Sequence, residues 1–214
     1  MKTHVPEIVA LCLSVVMVIA CSSPNPSSSS PQTQASSTAT KKEPAFYTGK
    51  SCLSQMADKA ARWQPDALPF HMESGLNAES TGHDGKSTIW RAMFASPGRR
   101  TYKPFICSGS RLPAEPAIGV TSGAESAYAP NVPQLMFQSF YLTADSDKAF
   151  AAAQEKGGSK LLEKDPQQPV LYSLDWDTKH KQLLWTVIYG TSQNDSKGMG
   201  VIDASTGKFL RAAK

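Results

Sequence analysis

The sequence predicts an α+β fold made of two units, each a helix followed by a three-stranded antiparallel sheet, carried behind a disordered linker. Three observations predict it. The chain repeats itself: residues 89–96 read IWRAMFAS and residues 184–191 read LWTVIYGT. The repeat pairs Ile89 with Leu184, Trp90 with Trp185, Met93 with Ile188, Phe94 with Tyr189 and Ser96 with Thr191, and only Arg91 against Thr186 changes character strongly. Apolar residues at helical spacing precede each run, and turn-forming residues separate the strands around it.

Taken in order, the first helix runs from Ser51 to Trp63, where Leu53, Met56, Ala57, Ala60 and Ala61 recur on one face. Strands follow over Phe70–Ser74, 89–96 and Tyr102–Cys107, with Asp84-Gly85-Lys86 and Pro97-Gly98 as turns. The stretch 108–133 holds Pro113, Pro116, Pro130 and Pro133. A connection that long is often functional, so a specificity loop is expected around Tyr128. Gln134 to Leu142 reads as an added strand. The second helix covers Asp145 to Lys156, with Asp145 or Ser146 as its cap, Ala149, Phe150 and Ala153 as its apolar face, and Gly157-Gly158 as its stop. Strands over Val170–Trp176, 184–191 and Met199–Asp203 complete the second unit, with turns at Asp177-Thr178-Lys179 and Asn194 to Gly198. The first unit is then 45–110, the connector with its strand 111–140, and the second unit 141–214. Trp90 and Trp185 share a strand face with Phe94 and Tyr189. They are expected as core aromatics under the helix; the sharper alternative is a paired aromatic groove in which Trp90 and Trp185 touch a ligand, and it requires one of them to be exposed.

Ahead of these units, Lys2 precedes an apolar run from Ile8 to Ala20, which ends Val18-Ile19-Ala20-Cys21. The run is shorter than the roughly 20 residues a spanning helix needs. The arrangement resembles a bacterial lipoprotein signal with its lipobox, residues 1–20 being the signal peptide. The resemblance implies that Cys21 receives a diacylglyceryl thioether and becomes the first mature residue, and two acyl chains suffice for stable anchoring. Ser22 in place of Asp after the cysteine favours the outer membrane of a diderm, facing the periplasm. Residues 21–44 form the lipidated end and a Ser/Pro/Thr-rich linker with nothing to bury, with an average reach of about 25 Å.

Cysteine usage agrees with export. Cys12 lies in the signal and Cys21 carries lipid, which leaves Cys52 and Cys107 as an even pair in an oxidising compartment. A disulfide between them is expected ahead of a reactive thiol, which outside the cytosol would oxidise. The net charge is +4, and it is unchanged by loss of Lys2 and Glu7 with the signal. Lys41-Lys42 and Arg99-Arg100 lie in a linker and a turn without interleaved aromatics, so a nucleic-acid partner is not expected.

The second unit ends Gly200-Val201-Ile202-Asp203-Ala204-Ser205-Thr206-Gly207-Lys208. A strand running into Asp-Ala-x-Thr-Gly-Lys after a Trp-bearing strand resembles the PepSY domain. In the first unit Cys107-Ser108-Gly109-Ser110 stands where that turn would be. The resemblance implies a PepSY/cystatin-like helix-on-sheet module that binds or inhibits, often in connection with peptidases or envelope maintenance, and it brings no catalytic residues.

Enzyme motifs are incomplete. Gly85-Lys86-Ser87-Thr88 lacks the earlier glycine of a phosphate loop, Ser80 standing there, and a strand follows where a helix is needed. Ser205 and Lys208 have serine–lysine spacing but lie in a terminal turn. His71, His83 and His180 form no metal motif, and Asp175-x-Asp177-x-Lys179 puts a cation where a calcium ligand belongs. His71 and Glu73 alternate along a strand and are expected on its exposed face. The sequence therefore leads to the expectation of a lipid-anchored envelope protein without catalysis, cofactor or metal. It would bind the membrane through its anchor and a protein or peptide through its folded part, its oligomeric state left open. An envelope-anchored hydrolase with an unrecognised site and a structural envelope component are the alternatives.

Overall fold

The computed structural model describes residues 43–213. The expected signal peptide, Cys21 and the expected linker as far as Lys42 lie outside the described residues. Among the described residues the chain is α+β, with helices on one face of a large antiparallel sheet.

In chain order the elements are β1 (Tyr47–Thr48), α1 (Gly49–Trp63), β2 (Leu68–Ser74), β3 (Lys86–Ser87), β4 (Ile89–Ser96), β5 (Thr101–Ser108), β6 (Gly119–Ser122), β7 (Ser126–Ala127), α2 (Val132–Leu135), α3 (Ser146–Ala153), α4 (Ser159–Lys164), β8 (Val170–Asp177), β9 (Gln182–Gly190), β10 (Ser196–Asp203) and β11 (Phe209–Ala213). α1 forms because Cys52, Leu53, Met56 and Ala60 fall on one buried stripe, and Thr48 caps it by accepting the Ser51 N–H.

Nine strands form one continuous sheet among the described residues, in the order β11-β10-β9-β8-β2-β4-β5-β6, with β7 also pairing with β5. This corrects the expectation of two separate three-stranded sheets. The sets β2-β4-β5 and β8-β9-β10 exist, but their inner edges pair antiparallel through His71↔Asp175, Met72↔Leu174 and Glu73↔Ser173. Joining removes two open edges that would otherwise expose unpaired backbone groups.

The two Trp-bearing strands take matching places. Trp90 in β4 lies opposite Ser74, and Trp185 in β9 lies opposite Leu174. Each indole N–H donates to a carbonyl two residues before the helix that starts its half: Trp90 Nε1 to Tyr47 O at 2.8 Å, and Trp185 Nε1 to Ala144 O at 3.0 Å. The rings meet edge to face at 6.0 Å, within one buried cluster that also holds Leu53, Met56, Phe94, Phe105, Tyr172, Val187 and Ile202. Helix starts converge above them. Asp145 Oδ1 accepts the N–H of Lys50 in α1 (2.8 Å) and of Ser146 in α3 (2.7 Å). Ser146 Oγ accepts the Gly49 N–H and donates to Gly85 O.

Three further expectations change. Gln134–Leu142 is not a strand: α2 overlaps its start, Ser139–Tyr141 is a 3₁₀ turn, and Phe137 and Leu142 are buried against the core. Pro133 at the head of α2 suits a helix start and offers no N–H to a sheet. The second helix does not stop at Gly157-Gly158. Gly157 adopts φ 115°, which an L side chain disfavours, and kinks the chain through a widened turn into α4. The connector 108–133 contributes β6 and β7 to the sheet edge, and β11, which no sequence signal marked, adds the opposite edge.

Candidate functional site

Cys52 on α1 and Cys107 on β5 form a disulfide, with a Cα–Cα distance of 5.6 Å, and both are buried. Trp90 and Trp185 also come together, but each is 0% exposed. That excludes the aromatic-groove alternative in this structure, because helix N-termini cover them. Tyr128 is half-buried beside the start of β5, its N–H donating to Arg100 O at 3.3 Å, and it joins neither the disulfide nor the cleft described next.

The most distinctive polar site lies on the sheet face opposite the helices, where β2 and β8 part. Their ladder ends at Glu73↔Ser173. Ser74 Oγ accepts the next N–H, that of Tyr172, at 3.0 Å. Beyond it the chain turns toward β4: Gly75 N–H donates to Ile89 O at 2.8 Å, and Ser87 Oγ donates to Gly75 O at 3.1 Å. On the other side Val170 N–H donates to Thr81 O. The separation leaves a cleft of about 310 Å³, lined by Glu73, Gly75, Leu76, Arg91, Leu171, Ser173, Ile188 and Thr191 to Gln193. Leu76 is 45% exposed at the rim. Ser173 is buried on the floor, and its hydroxyl has no partner among the described residues.

A charged row runs from this cleft along the seam. His71 Nδ1 lies 2.6 Å from Asp175 Oδ1, and its Nε2 lies 3.7 Å from Glu73 Oε2. The Asp175 hydrogen bond, aided by Glu73, pushes His71 up to about 10, so the imidazole is a fixed cation at neutral pH. The His71 hydrogen bond in turn holds the Glu73 carboxyl below its ordinary range, with Arg91 assisting. Arg91 stands in register with Glu73, and no carboxylate comes within 4.0 Å of its guanidinium among the described residues. Protonated at neutral pH, His71 is a poor general base there. The row can orient charged or polar groups, and Arg91 retains donors for an acceptor from outside.

The remaining motif residues have structural roles. Gly85-Lys86 makes a turn, with Lys86 Nζ 3.2 Å from Asp84. Ser205 Oγ donates to Tyr141 O at 2.8 Å. His83 Nε2 lies 2.7 Å from Gln168 O, and His180 Nδ1 lies 2.7 Å from Asp177. Among the described residues no three His, Cys, Asp or Glu side chains are grouped as a metal ion requires. Sequence reasoning placed His71 and Glu73 on an exposed strand face but missed Arg91, Ser173 and Leu76 as parts of one cleft. One signal was available: Arg91 is the position at which the repeat breaks.

No family model and no curated protein matches the chain, so the PepSY resemblance gains no support from either comparison. Among solved structures, the fold is similar to that of a provisionally assigned lipoprotein from Clostridium difficile 630, with a TM-score of 0.49 and 9% identity over 81% of this chain and 95% of that one. Among the described residues no helix is long and apolar enough to cross a membrane.

Proposed function

We propose that this chain is a lipid-anchored cell-envelope lipoprotein whose folded part acts without chemistry of its own, as a binding or inhibitory module for a protein or peptide. The single observation that carries the binding role is the cleft between β2 and β8. It combines apolar walls (Leu76, Leu171, Ile188), a hydroxyl- and amide-bearing rim (Thr191, Ser192, Gln193) and a guanidinium at Arg91 that has no ion-pair partner among the described residues. Such a surface suits an extended peptide, which offers an apolar side chain beside carbonyl and carboxylate acceptors. The hydrolase alternative would draw on the same seam, where His71 and Glu73 titrate away from their ordinary values. A histidine locked between two carboxylates favours binding over proton transfer.

The anchor places the module at the periplasmic face of the outer membrane in a diderm. The same reading takes the two halves of the sheet as copies of one PepSY-like unit. The paired indole bonds to Tyr47 and Ala144 and the antiparallel seam between β2 and β8 support that view.

A photo-crosslinking phenylalanine analogue at Leu76, in cells that produce the protein, tests the binding role. Discrete peptide or protein adducts that disappear with Arg91→Glu are expected. No adduct at Leu76, or adducts indifferent to Arg91→Glu, would reject the cleft as the binding surface.

A further inference from the structure

The cleft between β2 and β8 is shaped for a chain end and not for an added strand. Where β2 leaves the ladder, the edge of β8 stays occupied: Ser74 Oγ accepts the Tyr172 N–H at 3.0 Å, and Thr81 O accepts the Val170 N–H at 2.9 Å. The donors that β8 turns toward the gap are thus taken, so a peptide cannot pair along it as another strand. The same two contacts bound the gap at either end. Its volume, about 310 Å³, lies at the small end for a ligand pocket and holds roughly one or two residues.

Two donors in the cleft are left over. The Ser173 hydroxyl, on a residue only 3% exposed, has no partner among the described residues. A buried hydroxyl left alone is costly, and it marks a place where an acceptor from outside can sit. The second donor is Arg91. Its guanidinium packs over the bare Cα of Gly75, where a Cβ would stand 3.0 Å from Arg91 Nη1 and 2.9 Å from Ile89 Cγ2. The acids nearby are committed elsewhere. Glu73, the one acid lining the cleft, leans to His71 at 3.7 Å, and Asp195 is held within the rim loop by the Thr191 hydroxyl at 2.6 Å. Leu76, Leu171 and Ile188 supply an apolar wall beside the two donors.

We infer that the cleft receives the C-terminal end of a peptide chain. The free α-carboxylate meets the Arg91 guanidinium, the carbonyl just before it accepts from the Ser173 hydroxyl, and an apolar last side chain lies against Leu76, Leu171 and Ile188. A guanidinium holds a carboxylate through paired N–H donors, more strongly than a neutral donor holds a neutral acceptor. A chain end brings the carboxylate, the carbonyl and the side chain within the volume available. An acidic side chain inside a longer chain would carry residues on both sides, and the bounded gap leaves them no room. The inference rests on the reading of this cleft as a peptide site and narrows it to one kind of end.

Fluorescence anisotropy on the purified full chain tests this, with an N-terminally labelled peptide, Gly-Ser-Gly-Ser-Ala-Leu, made once with a free C-terminus and once as its C-terminal amide. The acid is expected to bind about tenfold tighter than the amide, and Arg91→Gln should erase the difference. Ser173→Ala should weaken binding of the acid about fivefold without lowering the urea midpoint, because in the unliganded protein that hydroxyl has no bond to lose. Equal affinity for acid and amide, no binding of either, a preference that survives Arg91→Gln, or indifference to Ser173→Ala would overturn the proposal. So would displacement of the peptide by free leucine at matched concentration, which would make a free amino acid the occupant. Crosslinks at Leu76 that disappear with Arg91→Glu would still mark the cleft as a peptide site in the first two cases, so failure of the end-recognition and failure of the cleft itself are told apart.

Discussion

Breaking the Cys52–Cys107 bridge should cost this protein about 4 kcal/mol, nearly all of it through the unfolded chain. The cysteines are 55 residues apart. In the chain-entropy treatment, closing a loop of that size restricts the denatured ensemble by about 4 kcal/mol at 25 °C. The folded state should lose little. Cys52 is 0% and Cys107 1% exposed, and two buried thiols remain small apolar groups that fill the same space. Urea unfolding of the oxidised protein, the same protein held reduced, and the Cys52→Ala/Cys107→Ala double variant separates the contributions. The reduced form should show a much lower midpoint and a somewhat larger m-value, because its unfolded state exposes more surface. The double variant should be slightly less stable again, from the lost sulfur volume. A reduced protein within about 1 kcal/mol of the oxidised one would refute the reasoning, as would two free thiols in the mass spectrum of the untreated protein.

Cys21→Ala should move the protein from the membrane pellet to the soluble fraction; full retention in the pellet would remove the lipid anchor. His71→Gln should destabilise most below about pH 6.5, and its effect should fade as pH rises toward about 10. The folded value lies above the unfolded one, so the contribution is complete below the unfolded pKa and is lost through the folded one. Because the imidazole is one-third exposed, the loss is on the order of 1 kcal/mol, and a pH-independent cost in urea titrations would show that charge is not the cause. Gly158→Ala should cost roughly 1–3 kcal/mol by overpacking, since its Cβ would overlap Tyr189 Oη. Tyr189→Phe should recover part of that in a double-mutant cycle, and additive costs would place the clash elsewhere.

The strands most legible in the sequence were the two Trp-bearing ones at the heart of the sheet. IWRAMFAS occupies β4 from its first residue to its last, because its β-rich composition, its repeat at 184–191 and the Pro-Gly turn that follows agree there. The thiol pair was legible for a different reason: the expected export signal sets Cys12 and Cys21 aside, which leaves Cys52 and Cys107 as an even pair. Three things escaped. β11 is short, with Leu210, Arg211 and Ala212 exposed, and carries no alternation. The 132–142 segment is apolar without a period, and Phe137 and Leu142 are buried by filling the space beside the end of β2, a tertiary demand that local pattern does not encode. The cleft escaped because its walls come from β2, β4, β8 and β9, which meet only through the β2–β8 seam. Neither half of the sheet alone contains the site.

That seam also bears on how the protein is made. β2 is complete early in the chain, but its partner β8 lies about a hundred residues later, so in a growing chain its inner edge waits without a neighbour. An unattended edge invites pairing with a second copy, in aggregates or exchanged dimers. The waiting strand carries Glu73, whose charge discourages another strand from settling there, and His71, which gains its Asp175 partner only when β8 arrives. The row that lines the finished cleft would thus serve first as a gatekeeper on the unfinished sheet.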